Sequence, residues 1–203
     1  MRIALIGASG NVGSRLAAEF VARGHTVTGI VRYPENATPS ERLCIVKGDA
    51  RDATALAALI AGHDVVVSSA RHLDSDARST IDAVKTARVP RLVVVGGAGS
   101  LEVAPGKKLL DTLEFPAAYK PEAVAGAAFL DLLRAEPELD WTYVSPSAEF
   151  VAGQRTQRFR LGGNELLTDA RGRSWISMED YALALADELE KPAHRRQRFT
   201  VGY

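Results

Sequence analysis

Four apolar residues in a row, Ile3-Ala4-Leu5-Ile6, run without a break into Gly7-Ala8-Ser9-Gly10-Asn11-Val12-Gly13. The apolar run reads as a short strand covered on both faces, since a strand with one wet face would alternate. Apolar residues then recur at helical spacing at Val12, Leu16 and Phe20, and Gly24 stops the helix. Glycines at this turn allow the backbone to bend tightly and to approach a ligand closely. The helix brings unpaired N–H groups and the positive end of its dipole to the same place. Such a turn is built to hold a phosphate. A bare three-glycine pattern says little, but this one follows a buried strand and opens a helix. The competing reading is a tight strand–helix turn that holds nothing.

The same alternation continues. Strands are predicted over residues 26–31, 43–46, 64–69 and 91–95, with helices over 54–60, capped by Asp52, and over 76–88. Strands and helices in strict alternation mean βαβ crossovers, hence an α/β, Rossmann-like, doubly wound and mostly parallel sheet with helices on both faces. Residues 100–119 carry Pro105 and Pro116 without a clear period and read as a long loop. Pro121 suits the first turn of a helix that continues over 123–133. A sixth strand is expected at 141–144, a hairpin at 159–167 around Gly162-Gly163-Asn164, a helix from Ser177 to about Leu189, and a last strand at 199–201. The reading is one domain over 1–203, with small substrate-side elements around 100–119 and 150–177.

Composition excludes several classes. Lys plus Arg number 25 and Asp plus Glu 25, so the net charge is zero, and no basic block marks a nucleic-acid surface. Cys44 is the single cysteine, so no internal disulfide forms. No apolar run is long enough to cross a bilayer and no leader precedes the first strand, so the expectation is a cytoplasmic protein with no membrane partner. The oligomeric state is left open.

The end of the second strand bears on the ligand. An acid there would bond the ribose 2′-hydroxyl of NAD, whereas a basic residue accommodates the 2′-phosphate of NADP. This chain has Val31-Arg32-Tyr33, with no acid before Glu35. A guanidinium fork suits phosphate, so NADP(H) is favoured over NAD(H), against the alternative of a solvated surface arginine. Asp49, after the third strand, sits at the carboxyl edge where open α/β sheets bind ligands, and could accept from an adenine amino group or simply cap a turn. Ser69-Ala70 and Gly96-Gly97 end strands four and five at that edge, small enough to leave room for a ribose and nicotinamide.

Taken together, the chain resembles the atypical short-chain dehydrogenase/reductases. It is most similar to the bacterial NADH-flavin reductase branch, near the NmrA-like proteins and biliverdin reductase B. Residues 7–13, Val31-Arg32, Gly48-Asp49-Ala50, Tyr119-Lys120-Pro121-Glu122-Ala123, residues 139–146 and Phe159-Arg160-Leu161-Gly162-Gly163 carry the resemblance, which covers essentially the whole chain. It implies a Rossmann fold and a nicotinamide cofactor. The cofactor contacts expected are Gly7, Ser9, Gly10, Asn11, Val12, Arg32, Asp49, Ala50, Ser69, Ala70, Gly97 and Pro146. Pro146 matches the position where the family's backbone meets the nicotinamide.

One departure matters. Most short-chain dehydrogenases place Tyr-x-x-x-Lys on one helix face, where Lys lowers the Tyr pKa for proton transfer. Here Lys120 follows Tyr119 directly, neighbouring helix positions diverge by about 100°, and no tyrosine has a lysine four residues on. Alcohol oxidation and sugar epimerisation need that pair. Hydride transfer to a flavin or quinone-like acceptor does not, because the acceptor is already electrophilic and water can supply the proton. The expectation is therefore an NAD(P)H-dependent oxidoreductase using a small-molecule acceptor, with flavin as substrate rather than prosthetic group. The alternative is an NmrA-like sensor that binds the dinucleotide without turnover. Ser100, Tyr119 and Lys120 are the polar residues to test for catalysis, with residues 100–119 as a lid.

The remaining chemistry-bearing residues read as structural. His25, His63, His72 and His194 have no metal spacing, and the first two are expected on surface turns. Cys44 is expected buried, and Arg195, Arg196 and Arg198 on a solvated face. No Gly-x-Ser-x-Gly elbow suggests a hydrolase.

Overall fold

The computed structural model describes residues 1–203. The chain forms two compact units. The first is Met1–Val95 with Glu136–Trp141, and the second is Gly96–Ala135 with Thr142–Tyr203. Of the chain's twelve strands, five form an all-parallel sheet in the first unit.

In the first unit the elements are β1 (Arg2–Ile6), α1 (Asn11–Ala22), β2 (Thr26–Val31), β3 (Leu43–Lys47), α2 (Ala53–Ile60), β4 (Val65–Ser68), α3 (Ala77–Thr86) and β5 (Arg91–Val95). The strands lie in the order β5-β4-β1-β2-β3 and every pair is parallel. The chain winds outward from β1 to β3, then crosses back to β4 on the other side. That reversal is the topological switch point, and the crevice beyond the carboxyl ends of β1 and β4 is where such sheets bind ligands. β4 and β5 are buried along their whole length, and Ile3, Leu5, Leu16, Phe20, Val27, Leu56, Ile81 and Val93 are fully covered. Truncating one such side chain to Ala costs about 2–5 kcal/mol, so this unit fixes the turns at its sheet edge firmly.

The second unit holds β6 (Glu102–Ala104), β7 (Lys107–Lys108), α4 (Lys120–Arg134), most of β8 (Asp140–Pro146), β9 (Glu149–Val151), β10 (Arg160–Gly162), β11 (Trp175–Ser177), α5 (Met178–Glu190) and β12 (Gln197–Gly202). β8 pairs with β12 in parallel, and β12 pairs with β10 antiparallel. β9 and β11 form a separate parallel pair.

Several expectations change. Residues 159–167 are not a hairpin: β10 pairs with the C-terminal strand instead, Arg160 against Gly202. The backbone at Asn164 and Leu166 bonds to Glu102, and the Glu165 carboxylate accepts from Gly163 N at 3.0 Å. Residues 100–119 are not a featureless loop. They contain the β6–β7 ladder, turned by Pro105-Gly106 with Gly106 at φ +73°, and two 3₁₀ turns. Cys44 is exposed, because β3 is an edge strand and the β2–β3 connection carries only the 3₁₀ turn Pro34–Asn36 instead of a covering helix. His25 is buried, facing the Phe20 ring, with Nδ1 at 3.4 Å from the amino terminus. Arg198 is buried as well, among polar partners described below.

Candidate nucleotide-binding site

Gly7 leaves β1 at φ +81°, a conformation that a Cβ would strain. Its N–H donates to Ile30 O at 2.8 Å, and its carbonyl accepts from Gly10 N at 3.0 Å. α1 packs so closely on this turn that a Cβ at Gly13 would lie 2.0 Å from Gly7 O. The two outer glycines thus serve different ends, one the bend and the other the contact.

The helix that follows starts differently from its neighbours. Asp52 caps α2 by accepting from Ala55 N at 3.0 Å, and Asp76 caps α3 by accepting from Ser79 N at 2.6 Å. That bond, with the Ser79 hydroxyl, holds the Asp76 carboxyl below its ordinary pKa. α1 has Gly10 at its N-cap, no side-chain cap and no acid in its first turn. No side chain of its own thus engages the dipole or the first N–H groups of α1.

A cavity of about 210 Å³ opens there. Its walls include Gly7, Ser9, Gly10, Arg32, Asp49, Ala50, Ser69 and Ala70, all expected from the sequence. Asn11 and Val12 form the first residues of α1 beside it. Asp49 Oδ1 accepts from Arg51 N at 3.0 Å, so one carboxylate oxygen does serve the turn. Ser69 Oγ is buried with no hydrogen-bond partner. Arg32 Nη2 lies 3.5 Å from Asp74 Oδ2, and the guanidinium sits 5.9 Å from the Tyr33 ring centroid. Tyr33, Arg71 and Asp74 also line the cavity, and sequence reasoning missed all three. Tyr33 and Arg71 each stand directly beside a residue that was singled out. Asp74 is brought back to the rim by the 3₁₀ turn His72–Asp74, which no periodicity announces.

The other expected residues belong to the second unit. A Cβ at Gly97 would meet nothing within 4 Å, and its N–H donates to Tyr143 Oη at 3.1 Å. Pro146 ends β8 and is buried. Ser100 is buried, and its carbonyl and Oγ both accept from Arg198 Nη1 at 3.0 Å. Tyr119 is 68% exposed at the start of α4, and Lys120 beside it is exposed too. Arg198 also donates through Nε and Nη2 to Asn164 Oδ1, at 2.9 and 2.7 Å. Burial, with Arg134 nearby, lowers its pKa from the ordinary guanidinium value. Tyr143 donates to Gly126 O at 2.9 Å, and burial raises its pKa. Tyr181 donates to Val144 O at 2.7 Å, and burial raises its pKa too. A phenol that is buried, hydrogen-bonded and harder to ionise is a packing element rather than a proton shuttle.

Comparison with known proteins agrees with this geometry. The sequence profile of the NAD(P)H-binding family matches residues 7–192. This chain belongs to that family. It is 40% identical to the protein YwnB of Bacillus subtilis (strain 168) over 211 residues, covering 99% of this chain and 98% of the other. A solved structure of a proposed epimerase from Bacteroides thetaiotaomicron shares 43% identity with a TM-score of 0.96, over 100% of this chain and 96% of that one. A proposed NADH-flavin reductase from Streptococcus pneumoniae TIGR4 shares 37% identity with a TM-score of 0.86, over 100% of this chain and 99% of that one. The Rossmann fold and the atypical short-chain dehydrogenase/reductase resemblance are thus borne out. No helix is long and apolar enough to cross a membrane.

The residues present fit a nicotinamide dinucleotide. The glycine cradle, the uncapped α1, the unpartnered Ser69 hydroxyl and the cation at Arg32 each supply a donor or a charge that an anionic, hydroxyl-rich ligand can use.

Proposed function

We propose that this chain is an NAD(P)H-dependent reductase that passes a hydride to a flavin or quinone-like small molecule, preferring NADPH to NADH. The observation that carries the reading is the cavity at the glycine turn, where an uncapped helix, an unpartnered hydroxyl and Arg32 converge. Gly7, Gly10 and the first turn of α1 would hold the pyrophosphate, Arg32 the 2′-phosphate, and Asp49 with Ala50 the adenine end. When bound, the dinucleotide supplies the hydride. The chain's own part is to fix the nucleotide and leave the acceptor room.

The acceptor class follows from the missing acid/base pair. Tyr143 and Tyr181 are hydrogen-bonded and hard to ionise, while Tyr119 and Lys120 are neighbours on the exposed start of α4. A flavin or quinone needs only hydride delivery and a proton from water. An epimerase, as the Bacteroides relative is described, would need a positioned acid/base that this chain does not offer in the family's usual form. The name of the Streptococcus relative supports the flavin reading.

The test is NADPH and NADH consumption by the purified protein with FMN, riboflavin and a small quinone. Saturable, acceptor-dependent loss, faster with NADPH, is expected. Tight nucleotide binding without turnover would replace this reading with a dinucleotide sensor. Arg32→Ala is expected to weaken NADPH much more than NADH, and equal losses would remove the NADP preference.

A further inference from the structure

The rim of the nucleotide cavity carries charges of both signs. Arg32 and Arg71 line it, but so do Asp49 and Asp74. The expected NADP-selective end of β2 is therefore not a purely basic pocket. Arg32 meets Asp74 through one nitrogen, Nη2 to Oδ2 at 3.5 Å, with side-chain exposures of 42% and 37%. That is a loose, single-point ion pair in solvent. A guanidinium engaged tightly with carboxylate would hold it by two shorter parallel bonds. The Arg32 fork thus retains capacity for another anion.

Asp74 is held in place independently of Arg32. It closes the 3₁₀ turn His72–Asp74, its N–H donates to Arg71 O at 3.0 Å, and its carbonyl accepts from Arg51 Nε at 3.2 Å. The carboxylate is thus delivered to the rim by its own backbone. β2 itself ends without an acid.

We infer that Asp74 is the second determinant of nucleotide choice, opposing Arg32: it disfavours a 2′-phosphate by charge and can accept from a free ribose 2′-hydroxyl. The inference rests on the proposed nucleotide site. Its physical content is that Arg32 alone does not set the preference, and that the pair leaves both nucleotides usable.

Calorimetric titration of NADPH and NADH into wild type, Asp74→Asn, Arg32→Ala and the double variant tests this. An exposed pair contributes up to about 1 kcal/mol, a factor of about five in affinity. Asp74→Asn is expected to tighten NADPH by about fivefold, to leave NADH equal or weaker, and to keep the wild-type Tm. In the Arg32→Ala background the gain should persist, since the carboxylate then faces the 2′-phosphate without a compensating cation. The NADPH gain should also fade as salt is raised, because exposed charges are screened; a merely structural role for Asp74 would not show that. An unchanged NADPH-to-NADH ratio in Asp74→Asn, with normal binding by wild type, would overturn the inference and leave the site standing. Failure of wild type to bind either nucleotide would overturn both.

Discussion

Around the glycine turn, Ser69 keeps a buried hydroxyl without a partner and Arg32 touches Asp74 only at 3.5 Å. In the second unit Arg198 is buried with three nitrogens engaged, two on Asn164 Oδ1 and one on Ser100. Asp180, fully buried, accepts from Tyr203 Oη at 2.6 Å, from Gln157 N at 2.9 Å and from the Thr156 hydroxyl. Both regions combine polar groups with burial, yet the Ser69 hydroxyl is left unused while the Arg198 and Asp180 networks engage their donors and acceptors. An unsatisfied buried polar group costs about 1–3 kcal/mol, and at Ser69 a ligand in the cavity can supply the missing partner. A saturated network is a stitch, holding segments that are far apart in sequence.

The contrast can be broken most severely at Gly13. A Cβ there would sit 2.0 Å from Gly7 O, which is backbone and cannot swing away. Gly13→Ala should abolish measurable NADPH binding in calorimetry and lower stability by about 1–3 kcal/mol. Retained binding would show that the turn is only a turn.

Next comes Arg198→Ala, which strips partners from Asn164 and Ser100 at once. Denaturant melts should show a loss of about 1–3 kcal/mol, from the neutral acceptors left without a donor. If instead Arg198→Ala spared stability but weakened nucleotide binding, the two regions would have exchanged roles.

Glu188 offers a pH test of the stitched region. Burial pushes its pKa up, but bonds from the His194 side chain and from the backbone N–H groups of His194 and Ala193 outweigh this and leave it lowered. A depressed carboxylate stabilises the fold above its unfolded pKa, and that contribution is lost as pH falls through the folded value. Stability should therefore fall on acidification below about 4.5, near the ordinary glutamate value. Glu188→Gln should flatten that limb, and an identical acid profile in the variant would reject the assignment.

The smallest effect sharpens the contrast best, because its two parts have opposite signs. Ser69→Ala removes the unpartnered hydroxyl, so the free protein should stay level or gain up to about 1 kcal/mol, while NADPH binding weakens by about fivefold. Loss of stability in thermal melts would mean that the hydroxyl already has work within the fold.

The first unit was largely legible in the sequence, because its signals are local. β2 and β5 fall where β-branched runs placed them, and Asp52 caps its helix as the pattern indicated. Eight expected contacts, from Gly7 to Ala70, share one cavity because each lies at the carboxyl end of a strand, and parallel order brings those ends together. Asp74 escaped because a 3₁₀ turn, rather than a strand end, carries it to Arg32. The second unit hides its logic in long-range pairing. Arg198 reads as a surface residue until Asn164 and Ser100 close around it, and Arg160–Gly162 joins β12 rather than its sequence neighbours. Pro105-Gly106 was a usable turn signal for the β6–β7 ladder, masked by the two prolines that made the stretch read as a loop.

The most direct test of the nucleotide site is a calorimetric titration of NADPH into the wild-type chain and into Gly13→Ala. Saturable one-site binding by wild type, at about micromolar affinity and lost in the variant, is the expected result. Wild type that binds no NADPH at millimolar concentration, or a variant that binds it equally well, would contradict a nucleotide site at the glycine turn.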